Sequence, residues 1–286
     1  MTAAPTGVIV PKEGSDSPVM PPGTAGRVGS AWFANKERAL LGLTGLVSVL
    51  VLWELLGRSG WVNPLFSSSP SRVLRAGISY VSTGEALADA GATLAAFGAG
   101  FLMAIVAGIM LGLLMGWYRR LEALLDPVFS FAYTSPRPAL LPLIIIWFGI
   151  GLESKIALVF ISALFPIVFS TATGVRTIDH AVFNVARSFS ASTWQIFRTI
   201  VLPSSVPHVI SGLRIALGHA LTAVIFAEMV AANKGIGYAM GVAANTFNTD
   251  LVFFGFFLVG GTGVLVTEIL RRIERHFERW RPDIQR

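Results

Sequence analysis

The stretch FNVARSFSASTWQIFRTIVLP, Phe183 to Pro203, decides how this chain is read, because it does not match its surroundings. It carries two arginines, a glutamine, an asparagine and several hydroxyls between two long apolar runs. Its apolar residues still recur with a helical period. Val182, Val185, Ala186 and Phe189 fall at i, i+3, i+4 and i+7, one face of a helix, and Asp179 is placed to cap its start. Ser190, Ala191 and Ser192 break the period. Trp194, Phe197, Ile200 and Val201 then form one side of a second helix, which Leu202–Pro203 is expected to end, since proline lacks a donor and restricts the residue before it. The spacing predicts a helix–turn–helix over about 179–203, with one side resting on a membrane domain and the polar side toward solvent.

Composition explains why that domain is expected. The chain has 286 residues, 53% hydrophobic and 13% charged, about half the charge of a soluble domain. Its apolar residues come in long blocks, so the class is an all-α polytopic membrane protein with about six transmembrane helices. Residues 1–38 are rich in Pro, Gly, Ser and Thr and read as a disordered tail. They do not resemble a secretory signal, because the first apolar run starts too late and runs too long. The spans are expected at about 39–57, 92–117, 127–151, 155–175, 209–232 and 251–270, giving a membrane domain over 39–270 and a basic tail over 271–286. Ser135 to Pro138 (SPRP) interrupts the third span, either at its cytoplasmic start or as a true break.

Orientation follows from the cations. With the N-terminus inside, the inside segments hold fifteen Lys and Arg and the outside segments five; Arg137 and Arg214 lie within spans. Both termini and the 183–203 stretch are therefore expected in the cytoplasm. In a membrane protein the net charge of +6 bears on topology, and no nucleic-acid partner is expected.

Several chemistries are excluded or unsupported. Without cysteine there is no disulfide or thiolate. A phosphate-cradling loop needs Gly immediately before Lys, and Lys12, Lys36, Lys155 and Lys234 follow Pro, Asn, Ser and Asn. If ATP drives this chain, the nucleotide site is on another polypeptide. His180, His208, His219 and His276 are scattered and make no metal-binding pair, so no metal is expected.

The loop also has a family likeness. Asn184-Val185-Ala186, three residues, Ser190, nine residues, then Ile200-x-Leu202-Pro203 resembles the Glu-Ala-Ala loop of ABC importer permeases. Asn184 stands for the family's Glu, Val185 for an Ala and Ser190 for the Gly. Asn184 offers neutral hydrogen bonds in place of an ion pair, and Ser190 adds about 1 kcal/mol to any turn that requires positive φ. SSSPSRVL (67–74), LLPLIIIWFGIG (140–151), GLRIALG (212–218), AEMVAANKGIGY (227–238) and TDLVFFG (249–255) resemble the branch of that family serving sulfonate, taurine, nitrate, bicarbonate and pyrimidine-precursor importers.

The resemblance implies a type I importer permease of the bacterial inner membrane with an EAA-type coupling loop. Its residues would be Asn184, Val185, Ala186, Phe189, Ser190, Ala191, Trp194, Phe197, Leu202 and Pro203. It implies a cytosolic ABC ATPase dimer holding ATP-Mg, an extracytoplasmic substrate-binding protein, and a second permease copy, with no cofactor bound by this chain and no catalytic residue. The alternatives are an ion-coupled secondary transporter, which usually needs coupling carboxylates and two related halves, and a membrane enzyme, for which no signature appears.

Polar residues inside spans are costly and are the candidates for lining a path: Arg137, Arg214, His219 and Glu228. Each has another reading. Arg214 can snorkel, His219 can donate to a neighbouring helix, and Glu228 can pair with a cation on another span. Arg214 and His219, five residues apart, do not share a helix face. Glu54 is read as capping or snorkelling and Glu268 as interfacial. Gly108-x-x-x-Gly112-x-x-x-Gly116 predicts a close helix contact, and Pro166 a kink.

Overall fold

The computed structural model describes residues 27–63 and 65–278, and among them all regular structure is helical. The helices are α1 (Arg27–Arg58), α2 (Pro70–Ser82), α3 (Glu85–Trp117), α4 (Arg119–Thr134), α5 (Leu141–Phe148), α6 (Leu152–Arg176), α7 (His180–Ser188), α8 (Thr193–Ile196), α9 (Leu202–Ala231), α10 (Ile236–Asn245) and α11 (Thr249–Glu278). The first part of the tail expected to be disordered, residues 1–26, lies outside the described residues. Arg27 to Arg38, the rest of that stretch, lie within α1. The basic tail is likewise helical to Glu278, and 279–286 lie outside the described residues.

Among the described residues, five stretches are long and apolar enough to cross a membrane: Leu40–Arg58, Glu85–Trp117, Leu152–Arg176, Thr193–Ala231 and Thr249–Glu274. The chain divides between Leu52 and Trp53 into two compact units. In the first, the helix from Leu40 to Leu52 exposes apolar side chains on every side, Leu43, Leu46, Val49 and Leu52 among them, as a helix solvated by lipid does.

The second unit is built round α3, α6 and α9. Small residues let α3 and α6 touch. A Cβ on Gly100 would lie 2.7 Å from the Ile156 carbonyl oxygen, and one on Gly112 would lie 2.7 Å from that of Val168. Gly108 and Gly116 abut Ile167 and Val175 in the same way, and Ala96 and Ala104 of the same stripe are fully buried. The expected glycine face is therefore present, and it runs about three turns further toward the start of α3 than Gly108, where the expected motif begins. Between α6 and α9, Gly174 of α6 faces His208 and Gly212 of α9 faces Ser170. Those pairings make α6 antiparallel to α9, whereas the Gly100–Ile156 and Gly116–Val175 pairings make it parallel to α3.

That register settles the third span. A chain leaving α3 at Trp117 must re-enter α6 at Leu152, level with about Ala96. Some twenty helical residues separate those levels, about 30 Å, which is the hydrocarbon thickness of a bilayer. Residues 118–151 therefore recross it. They do so as a broken element: α4 ends at Thr134, Ser135 (φ −67°, ψ 142°) and Pro136 are extended, and a 3₁₀ turn (Arg137–Leu140) leads into α5. Of the two readings of SPRP the true break is the one found, because a residue preceding proline is pushed out of the helical region. Pro166, by contrast, lies within an unbroken α6.

A second correction concerns Leu202–Pro203. The helix does not end there; it runs from Thr193 to Ala231. A π turn over Phe197–Val201, in which the Leu202 N–H reaches back to the Phe197 carbonyl, precedes the proline. The wider turn removes the ordinary i−4 geometry that the proline ring would clash with.

Candidate functional site

The segment between α6 and α9 is an elbow with well-defined caps. Asp179 accepts a hydrogen bond from the Ala181 N–H at 2.8 Å and starts α7. At its other end the Ala191 N–H donates to the Ala186 carbonyl (3.1 Å) and the Ser190 N–H to that of Arg187 (2.9 Å). This two-bond closure places its second-to-last residue in the left-handed region, and Ser190 has φ 56°. Ser192 and Gln195 then cap α8 reciprocally: the Gln195 N–H donates to Ser192 Oγ, and the Ser192 N–H to Gln195 Oε1 at 2.7 Å. Ser190→Gly relieves a serine of positive φ. Amide exchange in α7 is expected to slow about fivefold, equivalent to ~1 kcal/mol. Unchanged or faster exchange would mean the turn is not left-handed.

The elbow's two sides are not arranged as the periodicity predicts. Ile196 and Val201 are buried, and Phe183 and Phe197 lie against Trp117 with ring centroids 6.2 and 5.6 Å away. Val182, Val185, Phe189 and Trp194 are exposed, Phe189 at 83% and Trp194 at 66%. The expectation that the Val182–Phe189 face rests on the membrane domain is thus corrected. That face is open, and Trp117, at the last residue of α3, anchors the opposite side. Trp117 went unassigned in the sequence, although aromatics concentrate at membrane boundaries. Of the other expected loop residues, Asn184 and Pro203 are exposed, and Ala186, Ala191 and Leu202 are half-buried. An apolar notch lined by Leu113, Leu114, Trp117, Tyr118, Trp194 and Phe197 runs beside the elbow.

The four intramembrane candidates do not converge. Arg214 pairs with Glu274 of α11. Arg137 is buried; its Nη2 donates to the Tyr133 carbonyl at 2.6 Å. His219 is half-buried on α9. Glu228 lies at the opposite end of the core from the elbow. It is fully buried and meets Lys155 Nζ at 3.7 Å, so of its two readings the pairing with a cation on another helix is the one found. Glu54, read as a cap, accepts from the Ser71 N–H at 2.9 Å. Glu268 pairs with Arg271.

Glu228 belongs to a polar cluster that the sequence did not reveal. Three successive amides at the start of α10 each find an acceptor: Gly235 N–H donates to Asp89 Oδ1 (2.8 Å), Ile236 N–H to Thr93 Oγ1 (2.9 Å) and Gly237 N–H to Glu228 Oε2 (3.0 Å). Thr93 in turn donates to Glu228 at 2.8 Å. These are the amides a helix start leaves unpaired, and negative acceptors suit its dipole. Gly235 is required there: its φ is 130°, and a Cβ would collide with the Glu228 carboxylate. Tyr80 donates to Asp89 Oδ2 at 2.6 Å. Burial, and then the Asp89 carboxylate, push the Tyr80 phenol above its usual range, so it remains a donor. The signal available in the sequence was the Asp89/Thr93 pair, i and i+4 on one face, straddling the expected span start at 92. Among the described residues no three His, Asp or Glu side chains converge as metal ligands.

Comparison with known proteins adds the family context. A family model described as "Binding-protein-dependent transport system inner membrane component" matches residues 104–281. The chain is 30% identical over 233 residues to the putative aliphatic sulfonates transport permease protein SsuC of Bacillus subtilis, covering 82% of this chain and 84% of that protein. It is 30% identical over 256 residues to the bicarbonate transport system permease protein CmpB of Synechococcus elongatus, covering 85% and 91%. Among solved structures it is similar to a chain of a bacterial ABC transporter involved in the import of the acidic polysaccharide alginate, with a TM-score of 0.59, 14% identity, and coverage of 86% of this chain and 99% of that one. At that identity the likeness is one of fold.

Proposed function

This chain belongs to the family of inner membrane components of binding-protein-dependent transport systems, and on that premise we propose that its α7–α8 elbow is the handle by which a cytosolic ATPase drives it. The protein is a multi-pass inner-membrane permease of an ABC importer, a family whose members work with an ATPase and a substrate-binding protein. The observation that carries the elbow reading is its open apolar face. Val182, Val185, Phe189 and Trp194 are exposed on a segment that also presents Arg187 and Arg198 to solvent. An apolar patch rimmed by charge marks a contact surface. The uneven distribution of Lys and Arg favours a cytoplasmic elbow and cytoplasmic termini.

The continuous helix from Thr193 to Ala231 gives the push a rigid path. Closure of the ATPase dimer on ATP-Mg would move the elbow, and α9 would carry that movement through the membrane domain toward Glu228. We assign ATP to the partner because no lysine here follows a glycine. A second copy of the chain would complete the pathway. On the side of α3 away from its small-residue stripe, Leu102, Met103, Val106 and Met110 are uncovered in the single chain. The relatives named for sulfonates and bicarbonate favour a small oxoanion as solute.

The test is reconstitution of the chain, with the soluble partners it retains in mild detergent, into lipid vesicles. Uptake of labelled methanesulfonate or bicarbonate that requires ATP and the ATPase is the expected result. Uptake driven by an ion gradient without ATP would overturn the reading.

A further inference from the structure

Arg137 is a buried guanidinium without a counter-ion. It is 8% exposed and sits at the break in the third crossing. One amino group donates to the Tyr133 carbonyl, and the guanidinium lies over the Tyr133 ring, 5.1 Å from its centroid; the Nε–H has no partner. Other cations in the unit fare differently. Buried Lys155 has Glu228, and the part-exposed Arg72, Arg176 and Arg214 have Asp250, Glu122 and Glu274. Among the described residues, Arg137 is the buried cation that meets no carboxylate.

Its depth makes that costly. The turn carrying Arg137 packs against α6 and α9, and Leu140 and Leu141 at its end join the core cluster that holds Ala163 and Ala220. Gly212 stands opposite Ser170, and Glu228 opposite Lys155, so Ala220 is level with the middle of α6. The guanidinium is therefore near mid-membrane, where an unpaired charge is expensive and points to function. A guanidinium is always charged, and its planar fork matches the oxygens of a carboxylate, sulfonate or bicarbonate.

We propose that Arg137 is the recognition point for the transported oxoanion, which supplies the missing countercharge. This rests on the permease reading above. Tyr133, Pro136, Pro138 and Ala139 around it are exposed in the single chain, which gives the anion a side from which to approach. The Nε–H itself is closed off in this conformation, so the anion meets it when the 135–138 break shifts.

The test uses the complete transporter in vesicles, with labelled methanesulfonate and bicarbonate as probes and labelled choline as a cationic control. For whichever oxoanion the wild type imports with ATP, Arg137→Gln is expected to raise the half-saturating concentration, or lower the rate, at least tenfold, the loss of one charge-assisted contact. ATPase recruitment should persist. Arg137→Lys, which keeps the charge and loses the fork, should fall between. Normal oxoanion import by Arg137→Gln overturns the proposal. So does failure of Arg137→Gln to assemble combined with unchanged half-saturation in Arg137→Lys, since the guanidinium would then serve a contact with another subunit. A wild type that recruits its ATPase and imports choline but neither oxoanion also overturns it. A wild type that recruits no ATPase instead fails the permease reading beneath.

Discussion

Phe189→Asp abolishes ATP-driven uptake and leaves the protein inserted and folded. Phe189 is 83% exposed and ends α7, so its removal deletes almost no packing within the chain. A carboxylate at the C-terminal end of a helix opposes the macrodipole by only ~0.3–1 kcal/mol, too little to unfold the elbow. In an interface the same substitution exchanges a large apolar anchor for a charge with no partner. Truncating a central aromatic anchor costs about 2–4 kcal/mol of binding, and an unpaired buried charge adds to that. Recruitment of the ATPase should therefore fall by at least about thirtyfold, read by copurification in mild detergent and by ATP-driven uptake in vesicles. Undiminished uptake would remove the elbow from the coupling path.

The elbow was legible in the sequence because its period, caps and boundaries are local. Asp179, the Ser190 turn and the starts of both helices stand where spacing put them. Which face would be covered was not legible: a helical period says that Val182, Val185 and Phe189 share a side, and only Trp117, a residue from another helix, decides that the opposite side faces inward. Pro203 misled for a related reason. Proline ends a helix that keeps ordinary register, and the π turn over Phe197–Val201 changes the register just before it. The break at Ser135–Pro136 was visible as two prolines, but its standing as part of a full crossing follows only from the parallel packing of α3 on α6. The cluster round Glu228 was hidden most completely. The Asp89/Thr93 pair, Lys155 and Gly235 are far apart in the chain and individually unremarkable, and pairing across helices leaves no periodic trace.

That cluster carries the largest stability effect. Lys155→Met leaves the Glu228 carboxylate, which is fully buried, with the Thr93 hydroxyl and the Gly237 amide but no cation. Removing one partner of a buried ion pair costs about 3–5 kcal/mol, which for a domain of this size lowers the unfolding midpoint by roughly 10 °C. Glu228→Gln is expected to be costly in turn, since Lys155 Nζ then keeps only the Lys234 carbonyl at 3.5 Å. The double variant distinguishes a charge effect from a packing effect. In Lys155→Met with Glu228→Gln, the glutamine oxygen can still accept from Thr93 and from Gly237, so the three amides of α10 stay capped while both charges are gone. Replacing a buried pair as a whole is often nearly neutral, so the double variant should be more stable than Lys155→Met alone, with a coupling energy of about 2 kcal/mol or more. Thermal unfolding of the four proteins in one detergent measures this. Strict additivity would mean that Lys155 and Glu228 do not act as a charge pair, and that α10 is held at its start by hydrogen bonds alone.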